Sequence, residues 1–364
     1  MAGLRSHPGK AADGLARRLR RSSLGGVLSA LMLSPVFAAP TLPGLTEQAL
    51  APPNTPQQSE GQTHTPGLEH WLQVVSSAAR TMNYSGVFIT QRGEDISTSS
   101  LVHYVVPQGH FERIETLDGQ RRIMVSLGGQ VRTSWPDYRL TLIDNQAGQV
   151  SFPRLLKTTD GEVDRNYRLE RGGQERCAGY ECQVSTILPR DDLRWGYRLW
   201  SLRDSQLLVK AQTLDTAGHV IDQVAFTQLK VNIAPRNALV QDSLRQPPGY
   251  AVEQMKVIPV TLQSQGWALS APVPGFKTVG VFRRSMSVGG KSSEVLQWLL
   301  SDGLASVSIF IQSATALTEP VAPEQRVGGT LALSRRIGDA WLTVMGAVPE
   351  RTLRRVSESV VRVQ

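Results

Sequence analysis

Cysteine is nearly missing from this chain, with two in 364 residues. Two thiols allow one bridge at most, and they lack the further ligands that a structural zinc needs. Aromatic residues make up only 6%. After residue 38 no apolar run approaches the ~20 residues of a membrane-spanning helix. The chain has no Gly-x-Ser-x-Gly, no phosphate-cradling Gly-x-x-x-x-Gly-Lys-Ser/Thr and no His-Glu-x-x-His, which removes the motif-bearing hydrolases, nucleotide binders and zinc proteases. The histidines (His7, His64, His70, His103, His110, His219) are scattered, and none pairs with another at metal-ligand spacing. Asp191-Asp192 are adjacent acids. On an extended chain they face opposite ways, so a solvated turn is expected there rather than an acid–base pair. No catalytic residue, metal or cofactor is expected; what remains is a protein that acts by binding.

The net charge of +8 is unevenly placed. Residues 1–38 hold six of the 39 bases and one of the 31 acids, so five of the eight surplus charges lie there. The rest is mildly basic, which argues against a nucleic-acid partner. Residues 17–21 form a basic n-region and 24–36 a short apolar stretch, and Val36-Phe37-Ala38 offers small residues at the cleavage positions. This reads as a secretory signal peptide over 1–38, cleaved after Ala38, with an uncleaved anchor as the alternative. The expected compartment is the periplasm. Cys177 and Cys182 flank an apparent strand turn. In an oxidising compartment they are expected to bridge; two reduced turn cysteines are the alternative.

Residues 39–66 carry six prolines among Gln, Thr and Ser, a composition that cannot bury a core and is expected to be disordered. Thr65-Pro66 reads as a helix start. Leu68, Trp71, Leu72, Val75, Ala79 and Met82 then fall on one face of an amphipathic helix. From Tyr84 the period changes to two. Short strands are expected at 85–91, 100–106, 110–116, 122–127, 131–134, 140–143, 167–170, 182–188, 197–201, 207–214 and 220–229. Gly, Pro and Asp turns separate them, and 152–156 is a non-strand interruption. Eleven strands in one antiparallel sheet must curl, into a closed barrel or an open trough. The texture loosens near 232–251. A smaller unit follows, with strands at 281–284, 294–300, 305–311, 331–336 and 340–347, a loop at 313–329 and a terminal helix at 349–361. The resulting division is a first domain over 67–235, a linker over 236–254 and a second domain over 255–364. The fold class is mainly β (α+β): a large unclosed antiparallel sheet with helices, then a smaller antiparallel sheet with a helix.

A helix over a curved sheet leaves an apolar hollow, and such hollows are common ligand sites. Trp71, Val75, Met82, Phe88, Val102, Met124 and Trp135 are the expected lining of a lipid groove; the plainer reading of all seven is core. Among the basic pairs, Arg283-Arg284 and Arg335-Arg336 are expected contacts for an acidic partner or a lipid phosphate. The plainer reading is a solvated strand end.

Several stretches, in order, carry a family resemblance. They are Asn83-Tyr84-Ser85-Gly86-Val87-Phe88 followed by Gln91-Arg92, then Trp195-Gly196-Tyr197-Arg198-Leu199-Trp200, then 211–226. Further on come Pro274-Gly275-Phe276, then 301–310, and Ser334-Arg335-Arg336 through Gly346-Ala347-Val348-Pro349. Over residues 68–362 the chain resembles the RseB/MucB regulators of envelope-stress sigma factors. The resemblance implies a first domain similar to the lipoprotein carriers LolA and LolB, an unclosed barrel with a hydrophobic groove. It implies as partner the periplasmic domain of a membrane anti-sigma factor of the RseA/MucA type, shielded from regulated proteolysis, and a response to acyl lipid or lipopolysaccharide. A homodimer stays open. A periplasmic lipoprotein or lipid carrier of LolA/LolB type is the alternative, and residues 255–364, which a carrier does not need, weigh against it.

Overall fold

The computed structural model describes residues 67–145, 162–288, 291–314 and 323–363. The signal peptide, the Pro-rich segment, Thr65-Pro66, residues 152–156 and Gly289-Gly290 lie outside the described residues.

The chain enters at α1 (Leu68–Thr81), whose buried face is Leu68, Trp71, Leu72, Val75, Ala78 and Ala79, close to the set that the 3.6 periodicity marks out. Gly67 at its N-cap offers no side chain. The first orphan amide, Leu68 N–H, instead donates 2.9 Å to Asp164 Oδ1, so a distant residue does the capping. Strands β1 (Tyr84–Arg92), β2 (Asp95–Val106), β3 (Gly109–Thr116), β4 (Ile123–Leu127), β5 (Gln130–Trp135) and β6 (Leu140–Asp144) follow as a meander. After the short α2 (Glu162–Asn166) come β7 (Tyr167–Cys177), β8 (Tyr180–Pro189), β9 (Gly196–Leu202), β10 (Leu208–Leu214) and β11 (Val220–Val231). Next are α3 (Asn237–Leu244), β12 (Ala251–Pro259), α4 (Leu262–Gln265) and β13 (Trp267–Leu269). The chain ends with β14 (Lys277–Val288), β15 (Lys291–Ser301), β16 (Ser306–Ser313), β17 (Glu324–Val327), β18 (Thr330–Ile337), β19 (Ala340–Gly346), α5 (Glu350–Ser359) and β20 (Val360–Arg362).

The pairings trace one ribbon. The N-terminal sheet runs β7-β8-β9-β10-β11-β1-β2-β3-β4-β5-β6. β12 lies parallel to β6, then pairs antiparallel with β14, and the C-terminal sheet continues β14-β15-β16-β19-β18-β17. Among the described residues β6 and β7 do not pair with each other, so the first sheet is unclosed. Its free edge, β7, is exposed along Glu170–Arg176 and carries Arg168, Glu170, Arg171, Glu175 and Arg176 beside a bulge between Arg171 and Gln174. Charge and bulge together discourage another strand from adding there.

The eleven strands expected up to residue 229 all form. The second half differs in several places. Residues 236–254, expected as a loose linker, hold α3 and the start of β12. Val240, with Leu239 and Leu244, packs on Tyr104, Phe111 and Val125 of the N-terminal sheet. Local texture hid this because α3 is only eight residues long, too short to hold alone, and gains its stability from that surface. The expected loop at 313–329 contains β17, and the terminal helix gives way to β20, which pairs with β13.

The β7–β8 hairpin turns through Ala178 and Gly179, both at positive φ (45° and 89°), the geometry of a tight two-residue hairpin. Cys177 faces Tyr180 and Cys182 faces Glu175, so the cysteines are diagonal neighbours on one face. They form a disulfide with Cα atoms 6.0 Å apart.

Candidate functional site

The meander register decides which groove candidates share a face. Phe88 lies opposite Ser99, and Ser85 opposite Val102. Side chains alternate faces, so Val102 projects away from the face that carries Phe88. It packs instead under α3 with Tyr104 and Phe111, and it leaves the groove set. Met124 pairs with Ile114, and Ile114 with Leu101, which keeps Met124 on the Phe88 face. Trp135 lies there too, half-buried at the end of β5. Met82 packs with Phe88, Leu101 and Phe226. Trp71 and Val75 pack with Tyr167, Ile187 and Leu199, and Met124 with Val131. The inner face is therefore apolar but divided among three clusters.

A polar row crosses the same face. Its buried members are His103, Glu112, Ser126 and Asp144, brought level by the β2–β3–β4–β5–β6 pairings. Tyr84 stacks on His103 at 4.9 Å and His103 on His110 at 5.9 Å. His103 Nδ1 lies 2.8 Å from the Met82 carbonyl, so the neutral ring donates there. Burial drives the His103 pKa down to about 4, against the upward pull of that hydrogen bond, and His110 lowers it further. Burial, reinforced by Glu112, holds the Tyr84 hydroxyl well above its usual value. The two histidines lie seven residues apart in sequence, and only the hairpin at Pro107-Gln108 joins them. Among the described residues no group of three or more His, Cys, Asp or Glu side chains is placed to hold a metal ion, and no helix is long and apolar enough to cross a membrane.

The joint between the two sheets is the most heavily built polar site. Arg194 and Asp302 are both 0% exposed, and Arg194 Nε donates 2.6 Å to Asp302 Oδ2. Tyr167 donates to the same oxygen at 2.8 Å. Asp302 Oδ1 accepts the backbone N–H groups of Leu304 (3.0 Å) and Ala305 (2.7 Å). The guanidinium also donates to Asp191 and to the Pro274 carbonyl, the latter at 2.7 Å, and lies 5.1 Å from the Phe276 ring. A Cβ on Gly275, at φ 77°, would sit 2.0 Å from Arg194 Nη2, so only glycine fits. Burial raises the Asp302 carboxyl and opposes the guanidinium charge, yet Arg194 stays above its usual value because Asp302 faces it. Four donors around one carboxylate favour the ionised form.

Asp191-Asp192 lies in an exposed bend, as expected, and its carboxylates are engaged by arginines. Asp191 holds Arg194, and Asp192 pairs with Arg351 of α5. Further bonds cross the joint: Thr352 Oγ1 to the Leu193 carbonyl (2.8 Å), Gly329 N–H to Asp222 (3.1 Å), and Arg284 to Asp144 (3.3 Å). A cleft of about 440 Å³ opens between the β8–β9 loop and α5, lined by Asp192, Leu193, Arg351 and Arg355. A second groove, of about 290 Å³, lies on the C-terminal sheet. Trp267, Leu296, Ile311 and Ala340 are among its walls, and Arg283, Glu294, Asp339 and Arg362 supply its charges. Neither cleft is lined by the seven groove candidates.

The basic pairs separate. Arg284 is buried against Asp144, and Arg335 donates to the Ser357 and Val360 carbonyls at the end of α5. Arg284 is an internal strut, which corrects its reading as a partner contact, whereas Arg335 is half-buried and tied to the end of α5. Arg283 pairs with Glu294 at the groove, and Arg336 is exposed, bonding the Gly338 carbonyl. Strand alternation explains the split, since consecutive residues face opposite ways.

The two halves match two family descriptions: the MucB/RseB N-terminal domain over residues 67–248 and the MucB/RseB C-terminal domain over 261–361. The chain belongs to the MucB/RseB family. This is a family of regulators, not of enzymes. Sigma factor AlgU regulatory protein MucB of Pseudomonas aeruginosa is 28% identical to this MucB/RseB chain over 306 residues, 82% of this chain and 92% of that protein. Sigma-E factor regulatory protein RseB of Escherichia coli is 24% identical over 299 residues, 81% and 91% of the two. The solved complex of Pseudomonas aeruginosa MucA/MucB matches at TM-score 0.61 and 27% identity, over 81% of this chain and 99% of that one. A structure of MucB in complex with MucA(peri) matches at 0.59 and 26%, over 81% and 98%. The family resemblance read from sequence thus holds across both halves. Three of the stretches that carry it, Trp195-Gly196, Pro274-Gly275-Phe276 and Asp302-Gly303, meet at or beside Arg194. Local sequence patterning did not single out Arg194 or Tyr167, because their partner lies more than 100 residues away.

Proposed function

We propose that this chain is a periplasmic negative regulator of an envelope-stress sigma factor. It binds the periplasmic domain of a membrane anti-sigma factor of the RseA/MucA type and shields it from regulated proteolysis. The observation that carries this reading is the match, over both halves and in one order, to a protein solved together with MucA. The basic apolar leader supports export, and the bridge Cys177–Cys182 suits an oxidising compartment. Arg283 and Arg336 remain the exposed members of the basic pairs that can meet an acidic segment of the partner. Acyl lipid or lipopolysaccharide acts on the inner face of the N-terminal sheet, where Met82, Phe88, Met124 and Trp135 stand. A lipid that favours the free form lowers the apparent affinity for the anti-sigma factor by linkage.

The test is a titration of the full mature chain with the periplasmic domain of its cognate anti-sigma factor, with and without lipopolysaccharide. Saturable one-to-one binding that also slows cleavage of the anti-sigma domain by its site-1 protease is expected, with affinity falling when lipid is present. No binding at tens of micromolar would reject the regulator reading. Binding indifferent to lipid would reject the sensing part alone.

A further inference from the structure

We infer that Asp302 is a positioning residue, a buried latch that fixes the C-terminal sheet in one orientation against the N-terminal sheet. In that orientation the surfaces on both sheets are aligned for one partner. That alignment rests on the regulator reading; the latch itself does not.

The two sheets are joined by one shared strand. β12 pairs with β6 as far as Met255–Asp144 and takes up β14 at Lys256–Ser285, with no residue between. A single strand between two sheets leaves bending and twisting open. Two further attachments lie away from it. One is the turn before β18, where Gly329 N–H meets Asp222 and a Cβ on Gly328 would sit 1.9 Å from Asp222 Oδ1. The other is the Asp302 node, with the α5 contacts of Thr352 to the Leu193 carbonyl and Arg351 to Asp192 beside it. Three separated points fix the orientation of a body, whereas two leave it free to turn about the line through them. Of the three, the Asp302 node holds a fully buried charge pair. Asp302 sits in the β15–β16 turn, and its carboxylate receives donors from β7 (Tyr167) and from the β8–β9 loop (Arg194). Removing the carboxylate charge leaves the buried guanidinium of Arg194 with a poorer acceptor at Nε and only the partly exposed Asp191 as counter-charge, a costlier state than an absent pair. Undocking relieves it by returning Arg194 to water.

The sequence of this joint is tuned to the contact. Gly275 admits the guanidinium, Gly303 sits at φ 102° inside the latch turn, and Asp302 Oδ1 rigidifies that turn through Leu304 and Ala305. Asp302 is sealed from solvent, so it cannot touch a partner directly. Any effect it has on binding passes through domain orientation. When only a fraction of molecules is docked, the apparent dissociation constant rises by the inverse of that fraction.

The experiment uses the full mature chain with a donor and acceptor dye on exposed positions of the two sheets. In Asp302→Asn the inter-sheet transfer efficiency is expected to fall and broaden. Affinity for the anti-sigma periplasmic domain should then drop about tenfold if about a tenth of molecules stay docked. A double variant, Arg194→Met with Asp302→Asn, removes both buried charges, while the amide oxygen still accepts from Leu304 and Ala305 and its NH2 donates to the Tyr167 hydroxyl. It is expected to restore both readings, since such replacements keep buried contacts without charge. Restoration by an uncharged pair would not occur if the Asp302 charge acted by touching the partner. If Asp302→Asn does not fold, Tyr167→Phe alone is read, with a smaller shift in the same direction. Unchanged transfer efficiency in a folded Asp302→Asn or Tyr167→Phe chain overturns the latch. A shifted efficiency with unchanged affinity overturns its positioning role. A wild-type chain that binds no anti-sigma domain, with the efficiency still responding to Asp302→Asn, rejects the regulator reading and keeps the latch.

Discussion

His103 shows how one residue ties local pattern to conditions. It is buried, neutral and stacked between Tyr84 and His110, and it titrates near 4 in the folded chain against 6.5 in the unfolded one. Between those values the unfolded chain carries a proton that the folded chain refuses. Stability is therefore lost as pH falls from 6.5 toward 4 and is fully present above 6.5. The shift corresponds to about 3 kcal/mol. Chemical denaturation of the wild type and of His103→Gln at pH 7 and pH 4 measures it. The variant is expected to lose less stability on acidification, and equal losses would show that the ring is not buried as described. The same scale explains why some readings of single residues went astray. Arg284 and Arg335 look from sequence like the solvated ends of strands, as Arg283 and Arg336 do. Which member of each pair turns inward follows from strand parity, and parity is set only when the register with the neighbouring strand is known.

At the scale of elements, the β7–β8 hairpin stands partly on a covalent tie. Its strand β7 is the free edge of the sheet, so one side of its backbone has no neighbour among the described residues. The six-residue loop closed by Cys177 and Cys182 is expected to contribute roughly 2 kcal/mol through the unfolded state. The double replacement Cys177→Ser with Cys182→Ser should lower the free energy of unfolding by that amount. An unchanged denaturation midpoint would assign the hairpin's order to packing alone. Periodicity and turn chemistry were legible here. The alternation from residue 84 onward and the Gly and Pro turns specify the meander almost strand for strand. Elements whose stability comes from a surface elsewhere were not legible. α3 has a short apolar side that means little until it lies on Tyr104 and Phe111. β12 has exposed residues along much of its length and is a strand because β6 pairs with its first half and β14 with its second.

Across the whole molecule, the two sheets share β12 and a joint with buried ionic contacts, so they are expected to unfold together. Calorimetry on the mature chain should give one transition whose van't Hoff and calorimetric enthalpies agree. Two resolved transitions would mean that the joint contributes little. Such coupling bears on the proposed function, because a partner gripping both sheets reads their relative orientation, and a ligand that disturbs either sheet can be felt by the other.

By itself the sequence determined the strand periods, the turns, the amphipathic α1 and the family, because each rests on residues close together along the chain or on ordered local motifs. The tertiary structure alone decided which face Val102 takes, how His103 meets His110, and that Tyr167, Arg194 and Asp302 converge. Those outcomes depend on register and on contacts between residues as many as 135 positions apart. Contacts of that kind leave no periodic trace; they are fixed when curled sheets bring distant side chains out of water, where a buried charge must find its counter-charge.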